Sequence, residues 1–175
     1  RVLEVIGQCG QKGIDAAVII TAGFRESGSE GTKLEDELIK KAKESGVRFM
    51  GPNCLGIIDS HSRINASFAP GMPNQGNIGF FSQSGALGIA VLDLAFSEDV
   101  GFSKFISMGN KADISDEEIM QALAEDENTK VILGYIEGVR DGKKFVEIAG
   151  RVSKKKPLII LKSGITSAGV KAASS

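Results

Sequence analysis

The chain has 175 residues, of which 42% are hydrophobic and 25% charged, a composition typical of soluble globular proteins and not of disordered or fibrous ones. Its formal net charge is −1, because 21 lysines and arginines nearly balance 22 aspartates and glutamates, which argues against nucleic-acid binding. No apolar run approaches 18 residues, so we expect no membrane span. Cys9 and Cys54 fit neither a disulfide framework nor a zinc site, which predicts a reduced, cytoplasmic protein without a metal.

The first part of the chain predicts an α/β unit that is truncated at its N-terminus. Thr32 and Glu35 stand at capping-box spacing ahead of an amphipathic helix. Three of the four prolines fall between residues 52 and 76, which predicts an irregular connection and a domain boundary near Gly76. The predicted elements are a helix near 2–9, a strand at 16–21, a helix from 32, a strand at 47–51 and the connection at 52–76.

A second alternating series follows, in which Ser115 and Glu118 form another predicted capping box. Strands that alternate with helices predict parallel sheets with right-handed crossovers. The fold class is therefore α/β, with two parallel-sheet units over residues 1–76 and 77–175. The second series contains strands at 78–82, 102–107, 130–137 and 157–162, and helices at 84–97, from 115, and near 142–152.

The stretch "FFSQSGALGIA" at residues 80–90 has two interpretations. It is either a tight strand-to-helix turn in which Gly85 relieves a steric conflict, or an anion site at the start of a helix. Small residues at 82–86 let the backbone approach an anion, and the first amides of a helix lack partners. The helix behind the turn is apolar on most sides, which predicts that it is buried.

Three further residues each leave two interpretations. Glu137, at the end of an apolar strand, could orient an imidazole or act as a base, or it could cap the next helix. Cys54 could be a nucleophile, but a small buried cysteine near a strand end is more often structural. His61, the only histidine, has polar neighbours and no nearby nucleophile, which favours an exposed loop residue.

The known phosphate-loop motifs are not satisfied. "GITSAG" at 164–169 has the spacing of a Walker loop, but Val170 stands where the lysine is required. The G-x-G-x-x-G pattern of dinucleotide-binding folds is absent as well.

Several motifs in one order resemble the ADP-forming acyl-CoA synthetases, with succinyl-CoA synthetase as a more distant relative. The resemblance spans essentially the whole chain. Its motifs are "ITAGFRESG" (20–28), "GPNCLGI" (51–57), "NASFAPGMPNQGNIGFFSQSGAL" (65–87), "SMGNKADIS" (107–115), "GYIEG" (134–138) and "KSGITSAG" (162–169).

The resemblance implies a Rossmann-like CoA-binding domain followed by a flavodoxin-like ligase domain. It implies the conversion of acyl-CoA, ADP and phosphate into a free acid, CoA and ATP, through acyl phosphate and a phosphohistidine. The implied cofactor is coenzyme A. ADP or ATP with Mg²⁺ would bind an ATP-grasp β part, either fused or a separate subunit, in an oligomer. The implied phosphohistidine would follow Ser175 and the glycine-rich CoA loop would precede Arg1, so we expect this piece alone to be inactive.

The resemblance also implies site residues. Glu137 would pair with the phosphohistidine, and Ile89, where succinyl-CoA synthetases carry a tyrosine, would face a less polar acyl group. The implied phosphate-binding residues are Ser82, Gln83, Ser84, Gly85 and Ala86, and the implied residues beside CoA and the acyl group are Ile20, Thr21, Ala22, Asn53 and Cys54.

A rival hypothesis is a non-catalytic module that senses acyl-CoA, as in protein acetyltransferases that carry a similar region. A histidine shortly after Ser175 would favour the ligase, and its replacement would favour the sensor.

Overall fold

The computed structural model describes residues 1–164. The first unit is a two-stranded parallel sheet, β1 paired with β2, packed against two helices. Buried Ile6, Leu38 and Phe49 lie at the centre of its core. The unit consists of α1 (Val2–Gln11), β1 (Ala16–Val18), a 3-10 turn (Arg25–Ser27), α2 (Ser29–Ser45) and β2 (Arg48–Met50).

The second unit is a six-stranded sheet in the order β4-β3-β6-β5-β7-β8. Strands β6, β5, β7 and β8 are parallel, as the alternating pattern predicts. Phe80 packs on the side of α3, and Phe81 on the side of α4 and α5, so both faces of the sheet are covered. The elements are β3 (Gly56–Asp59), β4 (Ile64–Ser67), β5 (Gln75–Ser82), α3 (Gly85–Ser97), β6 (Phe102–Ser107), α4 (Asp116–Glu125), β7 (Val131–Ile136), α5 (Gly142–Val152) and β8 (Leu158–Lys162).

The predicted irregular connection at 52–76 is wrong in its centre. β3 and β4 form an antiparallel hairpin, and β3 also pairs antiparallel with β6. Its prolines, at 52, 70 and 73, lie outside both strands, so they do not interrupt the ladder. The prolines therefore lie on either side of a regular hairpin. The domain boundary near Gly76 stays a prediction.

The predicted capping box at Thr32 and Glu35 is also wrong. α2 begins at Ser29, one turn earlier, and the Thr32 hydroxyl donates to the Gly28 carbonyl. Glu35 is fully buried and its carboxylate lies 2.8 Å from the Arg25 guanidinium. An ion pair with a residue ten positions earlier in the chain therefore occupies the side chain that local spacing assigned to a cap. The box at Ser115 and Glu118 is confirmed in both directions.

The predicted burial of α3 holds for one stripe only. Gly88, Leu92 and Ala95 are buried, whereas Leu94 is 60% and Phe96 43% exposed. A helix on one face of a sheet buries a single stripe, and apolar residues on most sides of the helix do not show how much of its surface is covered.

The two units are joined by polar contacts close to the ends of β2 and β6. Arg48 on β2 forms ion pairs of 2.8 Å with both Asp113 and Glu118. The backbone continues the junction, since the Ala112 amide donates to the Gly51 carbonyl at 2.9 Å. These contacts hold the loops after β2 and β6 side by side.

No helix within residues 1–164 is long and apolar enough to cross a membrane. The Walker-like frame at 164–169 falls almost entirely outside the described residues.

Candidate functional site

A cavity of about 1200 Å³ lies between the loops of the two units. It is formed at the carboxyl ends of β5, β6 and β7, where open parallel sheets bind their ligands. Loops after β1 and β2 supply its other wall. Its lining includes most of the residues expected from the sequence, namely Ile20, Ala22, Asn53, Cys54, Gln83, Ser84, Gly85, Ala86, Ile89 and Glu137.

The start of α3 offers free donors to this cavity. Ser84 is the N-cap, and its hydroxyl oxygen accepts from the Leu87 amide at 3.3 Å. The amides of Gly85 and Ala86 donate to no acceptor among residues 1–164. Unpaired amides at a helix start, together with the helix dipole, favour an anion.

Gly85 does not serve the fold in the way that the steric interpretation requires. It is a helical residue, and a Cβ placed on it would meet no other heavy atom within 4 Å in the described part of the chain. The turn therefore tolerates a side chain sterically at this position, and the space beside Gly85 belongs to the cavity.

Two residues of the turn have donor groups that are already hydrogen-bonded. Ser82 is fully buried, and its hydroxyl donates to the Ser84 carbonyl at 2.8 Å and accepts from the Ser84 amide at 3.1 Å. The Gln83 amide nitrogen of the backbone donates to the Tyr135 carbonyl at 3.1 Å. Of the five residues from Ser82 to Ala86, Gly85 and Ala86 therefore present free backbone amides, and Ser84 presents only the hydrogen of its hydroxyl.

Glu137 lies directly after β7 and lines the same cavity. It does not cap α5, because Asp141 does so by accepting from the Lys144 amide at 3.0 Å. Its carboxylate has no hydrogen-bond or ion-pair partner within the described residues. Burial raises the pKa of this carboxyl group, and the positive charges of Lys111 and Lys162 offset only part of that rise. A half-buried, unpartnered carboxylate is available to a ligand.

The residues expected beside CoA lie on the opposite wall of the cavity. Ile20 and Ala22 line it directly. Thr21 does not, but its carbonyl accepts from the Asn53 amide at 3.0 Å and so ties the loop after β1 to the loop after β2.

Sequence reasoning missed Asn110, which lines the cavity and links both units. Its side-chain nitrogen donates to Glu26 at 2.6 Å and to Glu35 at 2.8 Å. Gly109 brings it there with a φ of +57°, and a Cβ on that glycine would meet the Pro52 carbonyl oxygen at 2.2 Å. The motif "SMGNKADIS" contained both residues, but nothing local distinguished them from an ordinary loop.

Cys54 lines the cavity wall as a structural residue and not as a nucleophile. It is 3% exposed, and its thiol donates to the Ile19 carbonyl at 3.4 Å. Burial raises its pKa to about 11, so thiolate is scarce at neutral pH.

Cys54 is therefore expected to resist alkylation. At pH 8 about one thiol in 10³ would be ionised, and iodoacetamide should modify the half-buried Cys9 first. Peptide mass spectrometry after timed alkylation measures this order. Both cysteines should react in guanidinium chloride, and rapid modification of native Cys54 would contradict the structural assignment.

His61 lies at the other end of the sheet. It is exposed, as expected, and its Nε2 is 2.9 Å from the Gly76 carbonyl oxygen near the start of β5. The cavity begins after the end of the same strand, roughly 20 Å away at about 3.3 Å per residue. His61 is thus not part of the site.

The family follows from comparison with known proteins. A model of the succinyl-CoA ligase-like flavodoxin domain matches residues 75–175, more than half of the chain. The chain belongs to this family. The match confirms the expected flavodoxin-like fold. The relatives and the solved structure described below confirm the expected resemblance to ADP-forming acyl-CoA synthetases.

Individual relatives of this family member carry ligase names. The chain is 47% identical to the α subunit of an ADP-forming acetate–CoA ligase II of Pyrococcus furiosus, over 99% of this chain and 38% of that subunit. It is 47% identical to an ADP-forming acetate–CoA ligase I of Archaeoglobus fulgidus, over 98% of this chain and 25% of that protein. These names favour the ligase over the sensing module.

A solved structure gives the same result. A dinucleotide-forming acetyl-coenzyme A synthetase 1 of Ca. Korarchaeum cryptofilum, in complex with phosphate and ADP, superposes with a TM-score of 0.93 at 43% identity. The match covers 99% of this chain and 37% of that one. The flavodoxin-domain family member described here thus spans well under half the length of the relatives it matches.

Proposed function

We propose that residues 1–175 belong to an ADP-forming acyl-CoA ligase, in which they bind coenzyme A and hold the phosphoryl group during transfer. The overall reaction would convert acyl-CoA, ADP and phosphate into a free acid, CoA and ATP, through acyl phosphate and a phosphohistidine. That histidine would lie outside residues 1–175, since His61 is remote from the cavity. Its phosphoryl group would meet the start of α3.

The observation that carries the proposal is that one cavity is lined by both free backbone amides and an unpartnered carboxylate. The free amides of Gly85 and Ala86 provide fixed positive dipoles for a phosphoryl group. The half-buried Glu137 carboxylate provides an acceptor for the N–H of an imidazole, which would leave the other ring nitrogen as the nucleophile. Such fixed groups stabilise a phosphoryl dianion without reorganising during the reaction.

The cavity is also compatible with coenzyme A. Its volume exceeds that of most small-molecule pockets, which is about 300–1,000 Å³. Residues of both units line it. Ile20 and Ala22 would contact the cofactor, with Asn53 and Cys54 nearer its thiol end, and Ile89 would contact the acyl group. Bound coenzyme A would supply the thiol that accepts or releases the acyl group.

The remaining components would come from the rest of the protein. We propose that ADP or ATP with Mg²⁺ binds an ATP-grasp β part, fused or separate, and that the parts form an oligomer. The free thiols of Cys9 and Cys54 support a cytoplasmic location.

Incubation of the full-length protein with its nucleotide-binding part, Mg²⁺ and γ-labelled ATP tests the proposal. We expect label on the protein that survives base and is lost in acid, as a phosphohistidine requires. We also expect ATP to form from acetyl-CoA, ADP and phosphate. A folded preparation that binds CoA but neither takes up label nor makes ATP would refute the ligase assignment.

A further inference from the structure

Gln83 was expected to bind phosphate, but its side chain is already fully hydrogen-bonded. Its Oε1 accepts from the amides of Glu137 at 2.9 Å and Gly138 at 3.1 Å. Its Nε2 donates to Asp116 at 2.8 Å and to the Gly138 carbonyl at 2.9 Å. A glutamine amide has two donor hydrogens and one oxygen with two lone pairs, so none of this capacity is left for phosphate.

The partners of Gln83 are themselves fixed. The Asp116 carboxylate is 4% exposed, at the start of α4, and its second oxygen lies 2.7 Å from the Lys111 Nζ. Lys111, 12% exposed, also donates to the Gly138 carbonyl at 2.7 Å. Gln83 therefore bonds the peptide groups of Glu137 and Gly138, and Lys111 bonds the Gly138 carbonyl. Asp116 holds both of these side chains through its two carboxylate oxygens, and we call the three residues Gln83, Lys111 and Asp116 the latch.

The latch leaves the Glu137 side chain free while immobilising its backbone. Every bond from Gln83 to this loop is to main-chain atoms, and the Glu137 carboxylate stays without a partner in the described chain. Because Gln83 immediately precedes the N-cap of α3, the same residue fixes the spacing between the free amides of Gly85 and Ala86 and the carboxylate of Glu137. The network is partly buried, and its bonds to the ionised Asp116 and Lys111 are charge-assisted, which favours a fixed geometry.

We propose that Gln83 is a positioning residue, which holds Glu137 opposite the start of α3 through the latch, and not a phosphate ligand. The inference rests on the proposed function only for its catalytic consequence. Displacements near 1 Å can cost about 10²-fold in rate, so loss of the latch should lower turnover while phosphate affinity is retained.

The test uses Gln83→Met and Asp116→Asn in the full-length protein with its nucleotide-binding part. Gln121→Met, a matched change on the exposed side of α4, is the control. We expect kcat to fall roughly 10- to 100-fold in both latch variants, with KM for phosphate within about twofold of wild type. Asp116→Asn is nearly isosteric and does not line the cavity, so it tests the latch even if Gln83→Met folds poorly.

A second readout does not depend on activity. Hydrogen exchange at the Glu137 and Gly138 amides should be about tenfold faster in Gln83→Met, because both lose their acceptor. The double variant Gln83→Met/Glu137→Gln should turn over little more slowly than Glu137→Gln alone, because Gln83 acts on turnover only through Glu137. Exchange and turnover should be unchanged in the control.

The outcomes distinguish a failure of the latch from a failure of the proposed function. A raised KM for phosphate with unchanged kcat and unchanged exchange would make Gln83 a phosphate ligand and overturn the proposal. Unchanged exchange at Glu137 and Gly138 in Gln83→Met would refute the latch whatever the activity. If wild-type protein used no phosphate at all, the proposed function would fail, but faster exchange would still establish the latch.

Discussion

Replacing Glu137 by glutamine is expected to remove nearly all turnover and at the same time to stabilise the protein at neutral pH. If the carboxylate orients the imidazole by accepting a hydrogen bond from its N–H, its loss should cost about 10³-fold in kcat, the middle of the range for groups that act in proton transfer. Glutamine keeps the size of the side chain, so the cavity and the latch should be unaffected. Steady-state ATP formation by the full-length protein measures the loss.

The gain in stability follows from the direction of the pKa shift. Burial raises the pKa of Glu137 above its ordinary value of 4.5, so the ionised side chain is less favourable in the folded state than in the unfolded state. This cost is fully present above the folded pKa. It disappears as the pH falls below 4.5, where the carboxyl is protonated in both states.

Glu137→Gln should therefore melt above wild type at pH 7 and together with it well below pH 4.5. Thermal melts across this range test the sign. Glu127→Gln, in an exposed loop at the other end of the sheet, should leave both the melting temperature and the turnover unchanged. A Glu137→Gln protein that is less stable at neutral pH, or that retains turnover, would contradict the assigned role.

Replacing Gly85 by alanine is expected to separate phosphate binding from folding. A Cβ at this position meets no atom of the described chain, and the residue is helical, so alanine should stabilise the protein by about 0.4–1 kcal/mol. The added methyl group would, however, enter the space beside the free amides of Gly85 and Ala86. We expect kcat/KM for phosphate to fall about 10²-fold, as when a donor to a developing anion is lost.

Gly150→Ala is the matched control. Gly150 lies in α5, is exposed, and also has no atom within 4 Å of an added Cβ among the described residues. Both variants should melt slightly above wild type, but only Gly85→Ala should lose phosphate-dependent activity. Wild-type phosphate kinetics in Gly85→Ala would mean that the anion binds elsewhere.

The burial of α3 depends on what packs against it and not on its composition alone. Its residues are apolar on most sides, which predicts burial, yet Leu94 and Phe96 remain substantially exposed. Burial depends on what lies opposite each face, and composition records only one side of that contact.

Of the two capping boxes that the sequence predicts, one forms and the other does not. Ser115 and Glu118 form the predicted box because both partners are local to one turn. Thr32 and Glu35 have equivalent spacing, but Glu35 bonds instead to Arg25 and Asn110, the latter 75 positions away. A local pattern predicts the structure only where no distant group competes for the side chain.

By itself, the sequence determined the alternation of strands and helices in this protein, and hence the edge of the sheet at which the candidate site lies. It also singled out the turn at 82–86 and Glu137, because strand ends and helix starts are local features with known periodicity. Only the tertiary structure decided which groups are free at that site. The side chains of Gln83 and Ser82 are occupied by hydrogen bonds to Glu137, Gly138, Asp116 and Ser84. The backbone amides of Gly85 and Ala86 and the carboxylate of Glu137 have no such partner within residues 1–164. Hydrogen-bond capacity is saturated by contacts across the fold, and sequence spacing does not record those contacts.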